Sequence, residues 1–280
     1  MITIELTGGL GNQLFQYAFG KSLAIEKNIP FILDISSYEF QNLRKYGLDN
    51  YLIKDLKLKG IYKMSFKDRI VNFFFKKKTY LEPYFSFDKN VYDLKYHNIT
   101  FKGYWQSEKY FNKIRTILLN DLRQLVNVSS ETKKWLELIN QNYNIVSVHV
   151  RRGDYILNDS TNKYHGTCNI DYYMKAINII KNKNKDAIFL FFSDDINFVK
   201  ETYSDIENVK FIDDIKNDYE ELFLMSNCNH NIIANSSFSW WGAWLNDFKD
   251  KTVVAPQKWF ENEEMQAQTN DLLPDTWIKI

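Results

Sequence analysis

Two arginines stand side by side behind an apolar run: Ile145-Val146-Ser147-Val148-His149-Val150 leads into Arg151-Arg152-Gly153-Asp154-Tyr155. A short run of that kind reads as a buried strand, so the arginines fall in the loop at its carboxyl end. Neither guanidinium can be buried unpaired without a large penalty. Each presents forked donors that match phosphate oxygens, and Asp154 is near enough in sequence to hold one of them. The competing reading is a surface Arg–Asp pair with His149 satisfied in the core.

Three more segments follow strands in the same manner. Gly8-Gly9-Leu10-Gly11-Asn12-Gln13 joins a strand to a helix, where glycines allow close backbone approach and a helix N-terminus favours an anion. It lacks the lysine of a nucleotide-triphosphate loop and the usual dinucleotide spacing, so the alternative is a tight turn in which Asn12 caps the helix. Asn235-Ser236-Ser237-Phe238-Ser239-Trp240-Trp241-Gly242-Ala243-Trp244 places small hydroxyl residues at another helix start. Ordinary capping with core tryptophans would explain it too. Phe192-Ser193-Asp194-Asp195 ends a strand with an acidic pair suited to a metal, a base, a ribose or a helix cap.

Other chemistries find no support. The four histidines, at 97, 149, 165 and 230, are scattered without metal-ligand spacing. No Asp-x-Asp triplet or Gly-x-Ser-x-Gly elbow occurs, and neither Cys168 nor Cys228 has an activating neighbour in sequence. With 36 basic and 35 acidic residues the net charge is +1, which removes the global field expected of a nucleic-acid binder.

The elements that must hold these loops alternate between strand and helix, which argues for parallel sheets covered by helices. Strands are expected at Ile2 to Thr7, Phe31 to Asp34, Ile99 to Trp105, Ile145 to Val150, Ala187 to Phe192, Val209 to Ile212, Asn231 to Ala234 and Thr252 to Ala255. Helices are expected from about Asn12 to Glu26, Asp171 to Lys183, Tyr219 to Met225 and Phe238 to Leu245. From Ser36 to about Tyr96 the pattern weakens. The polar stretch Asn140 to Asn144 is the best linker, giving lobes 1–140 and 141–280, although a turn inside one domain explains it nearly as well. At 280 residues, 45% of them hydrophobic, the chain can bury such cores.

Taken together the motifs resemble a family. His149-Val150-Arg151-Arg152-Gly153-Asp154-Tyr155 is similar to the His-x-Arg-Arg-x-Asp motif of α1,2-, α1,6- and protein O-fucosyltransferases. The stretch Gly8 to Ala18 resembles the opening of bacterial α1,2-fucosyltransferases, glycosyltransferase family 11. Phe192 to Asp195 and Ile233 to Gly242 match that family's later motifs in order and spacing, and the likeness covers essentially the whole chain.

The resemblance implies an α/β fold of two Rossmann-like lobes facing a cleft (GT-B type), with the acceptor on the N-terminal lobe and GDP-fucose on the C-terminal one. It implies an inverting, metal-independent transfer of L-fucose to the 2-hydroxyl of a galactose on a glycan, with no cofactor beyond the donor. By motif, Arg151 and Arg152 hold the diphosphate, helped by the backbone at Gly9 and Gly11. His149 with Asp194 or Asp195 reads guanine or ribose, and Ser236 and Ser237 contact phosphate. Asn12 matches the loop asparagine that protein O-fucosyltransferases place near the reacting centre. Without a metal, fixed guanidinium and N–H donors must carry the charge that builds on the leaving diphosphate. Asp154 is the nearest motif carboxylate for the acceptor proton, but pairing with arginine would make it a poor base; Asp159 stands further along the same loop. A related transferase using another GDP-sugar, such as GDP-mannose or GDP-rhamnose, and a glycan-binding protein without turnover are the rival readings.

The opening residues Met1 to Thr7 carry no basic region followed by an apolar run, and no stretch is long and apolar enough to span a bilayer. A soluble cytoplasmic protein is therefore expected. Between Lys63 and Lys78, basic residues surround Phe66, Ile70, Val71 and Phe73-Phe74-Phe75. Such a segment would rest on an anionic membrane surface, each Lys or Arg contributing about 1 kcal/mol. Against this, consecutive rather than helically spaced phenylalanines favour packing into the N-terminal lobe with a solvated lysine rim.

Overall fold

The computed structural model describes residues 1–39, 44–54, 56–60, 78–95, 98–152 and 166–280. Asp154, Asp159 and the basic aromatic segment up to residue 77 lie outside the described residues. The chain divides into two compact units, Met1–Gln124 with Asn270–Leu272, and Leu125–Thr269 with Leu273–Ile280.

The first unit begins with β1 (Ile2–Glu5), α1 (Leu10–Lys27) and β2 (Phe31–Asp34), followed by β3 (Leu58–Lys59), β4 (Lys78–Leu81) and β5 (Ile99–Lys102). They form a parallel sheet in the order β3-β2-β1-β5-β4. β1 is its pivot: the chain leaves toward β2 on one side and returns through β5 on the other. Ligands in such sheets bind at this switch of direction, beyond the carboxyl ends of the two strands. The segments ending there are Leu6 to Gly9, and Gly103 to Gln106.

Helix α1 is buried along most of its length, with Leu14, Phe15, Tyr17, Ala18 and Leu23 inside. Gly20 lets it press onto β1, since a Cβ there would stand 2.6 Å from Ile4 Cγ1. Asn28 ends the helix in the left-handed conformation at φ 50°, returning its N–H to the carbonyls of Ala24 and Ile25. Beneath the sheet, Phe19 stacks on Trp105 with ring centroids 4.1 Å apart, and Phe101 and Tyr110 meet that pair edge-on. Short α2 (Arg115–Leu122) closes the unit.

The second unit starts earlier than the expected 141. Helix α3 (Ser130–Asn140) packs Trp135, Leu136, Leu138 and Ile139 among Ile145, Leu190, Phe192 and Leu224, so it belongs with the second sheet. Ser129 caps it by accepting from Thr132 N at 3.2 Å. The polar stretch at 140–144 is thus a helix-to-strand turn rather than a linker.

Then come β6 (Ile145–Val150), α4 (Ile170–Lys183), β7 (Ile188–Ser193), α5 (Ile196–Tyr203), β8 (Val209–Phe211), α6 (Asp218–Asn227), β9 (His230–Ile232), α7 (Ser237–Leu245), β10 (Val253–Ala255), α8 (Glu263–Gln266) and β11 (Ile278–Lys279). The sheet runs β11-β10-β9-β6-β7-β8, again all parallel. All six residues of β6 are buried, as a strand covered on both faces requires. Here the direction switches between β6 and β9. Arg151 and Arg152 follow one of these strands, and Asn235, Ser236 and Ser237 the other. The two-lobed α/β architecture of GT-B type is the one found.

Candidate active site

Parallel pairing places Val150 opposite Ser193, so the residues just beyond, Arg151 and Asp194, leave the sheet side by side. Arg151 Nη1 lies 3.0 Å from Asp194 Oδ2. The other oxygen of Asp194 accepts from the backbone N–H of Arg152 at 2.9 Å. Asp195 holds Arg152 Nε at 3.4 Å and also caps α5 by accepting from Phe198 N at 3.3 Å. The Arg152 guanidinium carbon sits over Phe198, 3.3 Å from the ring centre. Both arginines are thereby aimed, and both aspartates are engaged in aiming them. Whatever else Asp194 and Asp195 contact, they already fix the guanidinium pair.

His149 is enclosed beneath this pair, 3% exposed, with its ring 5.5 Å from that of Phe238. Burial, and then the Arg151 charge, pushes its pKa down to about 3, so the ring is neutral at ordinary pH. Its Nδ1 has no hydrogen-bond partner among the described residues. The ring is thus a neutral, enclosed group behind Arg151.

Across the switch, Ser236 caps α7 by accepting from Phe238 N at 3.3 Å, and Ser237 opens that helix. The tryptophans behind them, Trp240, Trp241 and Trp244, are core. Asn235 reaches the other way and donates to the carbonyls of Gly166 and Trp259, both at 3.1 Å, tying two loops to the helix start.

Near Arg151 and Asp194 stands Glu221, in the first turn of α6. Burial raises its pKa to about 8, the Asp218 and Asp194 charges push the same way, and Arg151 opposes them. Nothing in the local pattern of α6 distinguished Glu221 from the acidic residues beside it.

In the first unit Asn12 does not cap α1. Gly9 occupies the cap position, and Asn12 sits one turn inside, where its Oδ1 accepts from Gln106 Nε2 at 2.8 Å. Gly8 takes φ 81°, and a Cβ there would fall 2.5 Å from Asn12 Nδ2, so only glycine fits. No described atom stands within 4 Å of a Cβ placed on Gly9, which leaves backbone open to a ligand. Gly11 is buried in the first turn. Gln13 donates to the carbonyls of Gly8 and Lys45, Tyr38 donates to Gly8 O at 2.9 Å, and Gln16 joins Thr7 N to Gly103 O. Gln13, Gln16 and Tyr38 escaped the sequence reading. A fully buried face carrying two glutamines was the available signal.

Among the described residues, no group of three or more His, Cys, Asp or Glu is arranged to hold a metal ion, and no helix is long and apolar enough to cross a membrane. The model of the family described as Glycosyl transferase family 11 matches residues 1–280. This chain belongs to that family. An α1,2-colitosyltransferase of Escherichia coli is 35% identical, the alignment covering 100% of this chain and 99% of the relative. The O-antigen biosynthesis glycosyltransferase WbnK of the same organism is 32% identical, covering 98% and 99%. In fold, the chain is similar to the fucosyltransferase NodZ from Bradyrhizobium, with a TM-score of 0.51 at 13% identity over 86% of this chain and 92% of that one. As a family 11 member it is a glycosyltransferase.

Proposed function

We propose that this glycosyltransferase takes L-fucose from GDP-fucose and attaches it α1,2 to a galactose of a glycan, with inversion and without a metal. The observation that carries the reading is the Arg151–Asp194 and Arg152–Asp195 pairing beside the Ser236 helix start. It is a rigid set of donors for a diphosphate. Arg151 and Arg152 bind its oxygens, the Ser236 hydroxyl and the Ser237 N–H take a further one, and His149 meets the nucleoside.

In the reaction the acceptor 2-oxygen bonds to the anomeric carbon as the bond from that carbon to the β-phosphate oxygen breaks. The bonding pair leaves with GDP, and the acceptor proton passes late to the departing diphosphate or to water. Charge grows on the diphosphate in the transition state, so donors already aligned there lower the barrier; losing one such donor costs roughly 3–4 kcal/mol in comparable sites. Asn12, an amide, cannot take a proton at neutral pH and serves as a hydrogen-bond donor to substrate.

Colitose is fucose lacking its 3-hydroxyl, and the 35% identity to a colitosyltransferase favours GDP-colitose as a second reading. A site that hydrogen-bonds the 3-hydroxyl rejects the deoxy sugar by roughly 10⁴-fold, whereas a pocket that only tolerates it discriminates weakly. Transfer assays with GDP-fucose, GDP-colitose, GDP-mannose and GDP-rhamnose against lactose and simple galactosides test both. Preference for GDP-mannose or GDP-rhamnose would reject them together, and nucleotide binding without turnover of any donor would leave a glycan-binding protein.

A further inference from the structure

We infer that Gln106 is the positioning residue for Asn12, and that the turn Gly103–Gln106 exists to place it. The two side chains are 94 positions apart in sequence, one in the first turn of α1 after β1 and the other in the turn after the neighbouring strand β5, at the sheet's switch of direction. The inference rests on the proposal that Asn12 donates to substrate.

One residue of the turn is held in a conformation that the chain would not adopt unaided. Trp105 has φ 57°, in the left-handed region, which a bulky side chain occupies only under compulsion. Three contacts compel it. Glu82 accepts from two consecutive backbone groups, Tyr104 N at 2.6 Å and Trp105 N at 2.9 Å. The Trp105 ring is fully buried on Phe19. Gln16 donates to the carbonyl of Gly103 at 2.9 Å. A strained backbone fixed this thoroughly has a consequence at the next residue. Gln106 is turned inward, 7% exposed, with its Nε2 on Asn12. Tyr104 is left outside, 42% exposed.

The bond decides which edge of Asn12 remains usable. Its Oδ1 is occupied by Gln106, and its amide nitrogen lies over Gly8, where no side chain is allowed. The group Asn12 presents is therefore its NH₂, a donor. Without Gln106 the amide is free to turn over and present an acceptor toward a substrate oxygen, which would repel it.

The test uses the full chain with its best GDP-sugar and acceptor, comparing wild type, Gln106→Ala, Asn12→Ala and the double variant. Gln106→Ala should lower kcat about ten- to a hundredfold, the scale of a misplaced reacting group. Its dissociation constant for GDP should change little. The double variant should be no slower than Asn12→Ala, because Gln106 acts through Asn12. A wild-type kcat in Gln106→Ala, or losses that multiply in the double variant, would overturn the inference while leaving the transferase reading intact. Gln106→Glu keeps the volume but can only accept, so it should turn the Asn12 amide over and shift that side chain's NH₂ resonances. Unchanged resonances would overturn the pairing whatever the activity. If the wild type turns over no GDP-sugar, the transferase reading falls, and this role for Gln106 with it.

Discussion

Arg152 sits over the ring of Phe198, its guanidinium carbon 3.3 Å from the ring centre, while its Nε is held by Asp195, the residue that caps the helix carrying Phe198. One short helix thus supplies both the floor and the tether for a single cation. Such stacking depends on a planar group, which an ammonium does not have. Arg152→Lys should weaken GDP binding about tenfold or more, and Arg151→Lys should remove most turnover, with unfolding midpoints near wild type in both. Calorimetric GDP titration and steady-state rates check this. Near-normal turnover in Arg151→Lys would refute the diphosphate clamp.

Glu221 gives the clamp a dependence on pH. Its carboxyl, raised to about 8, is mainly neutral at pH 7 and ionises as pH rises. Ionisation adds a negative charge near Arg151, where Asp194 already supplies one, and so opposes an incoming anion. GDP affinity should therefore fall as pH climbs through about 8, and Glu221→Gln should flatten that fall. Titrations from pH 6.5 to 9 decide it, and parallel curves for the two proteins would dismiss Glu221.

His149 acts on stability instead. Folding depresses its pKa from 6.5 to about 3, so between those values the unfolded chain binds the proton and the folded chain does not. Its contribution is full above about pH 6.5 and declines as pH falls toward 3. Denaturant unfolding of His149→Phe should show a shallower loss of stability than wild type over that window. An unchanged slope would mean that the ring is not held neutral.

The two adjacent glycines should respond oppositely to alanine. Gly8→Ala meets both a positive φ and the Asn12 side chain, and should cost about 2 kcal/mol or more in stability. Gly9→Ala meets nothing and should fold normally, yet raise KM for the donor if the backbone there approaches a ligand. Thermal unfolding and donor kinetics on the pair separate packing from binding.

Transfer should persist in EDTA at full rate. Loss of activity in the chelator, restored by Mg²⁺ or Mn²⁺, would overturn the metal-free reading.

Much of the second unit is readable in the sequence because its strands are continuous apolar runs. β6 is expected at Ile145 to Val150 and is found there, and its arginine loop follows at the switch point. The loop after β1 is legible for the same reason, but a capping role for Asn12 is not what the chain uses: Gly9 takes the cap position without any side chain. β3 and β4 escape notice because they are short and half-exposed, so alternation has no room to show. Helix α3 is legible from Trp135, Leu136, Leu138 and Ile139 at helical spacing behind the Ser129 cap, but the polar residues between them mask it. Gln106 and Glu82 are invisible for a different reason. Their importance lies in contacts across 94 and more than 20 positions, which neither periodicity nor local spacing records.

The first unit is not a continuous piece of chain, since Asn270–Leu272 belongs to it. Asp271 accepts from Phe87 N and from Lys109, and its carbonyl accepts from Ser107, which immediately follows Gln106. A fragment cut at residue 124 would lose those partners from the turn that orients Asn12. Anyone exchanging the first unit between family members must therefore transplant two segments, the first 124 residues and a three-residue clasp from near the far end.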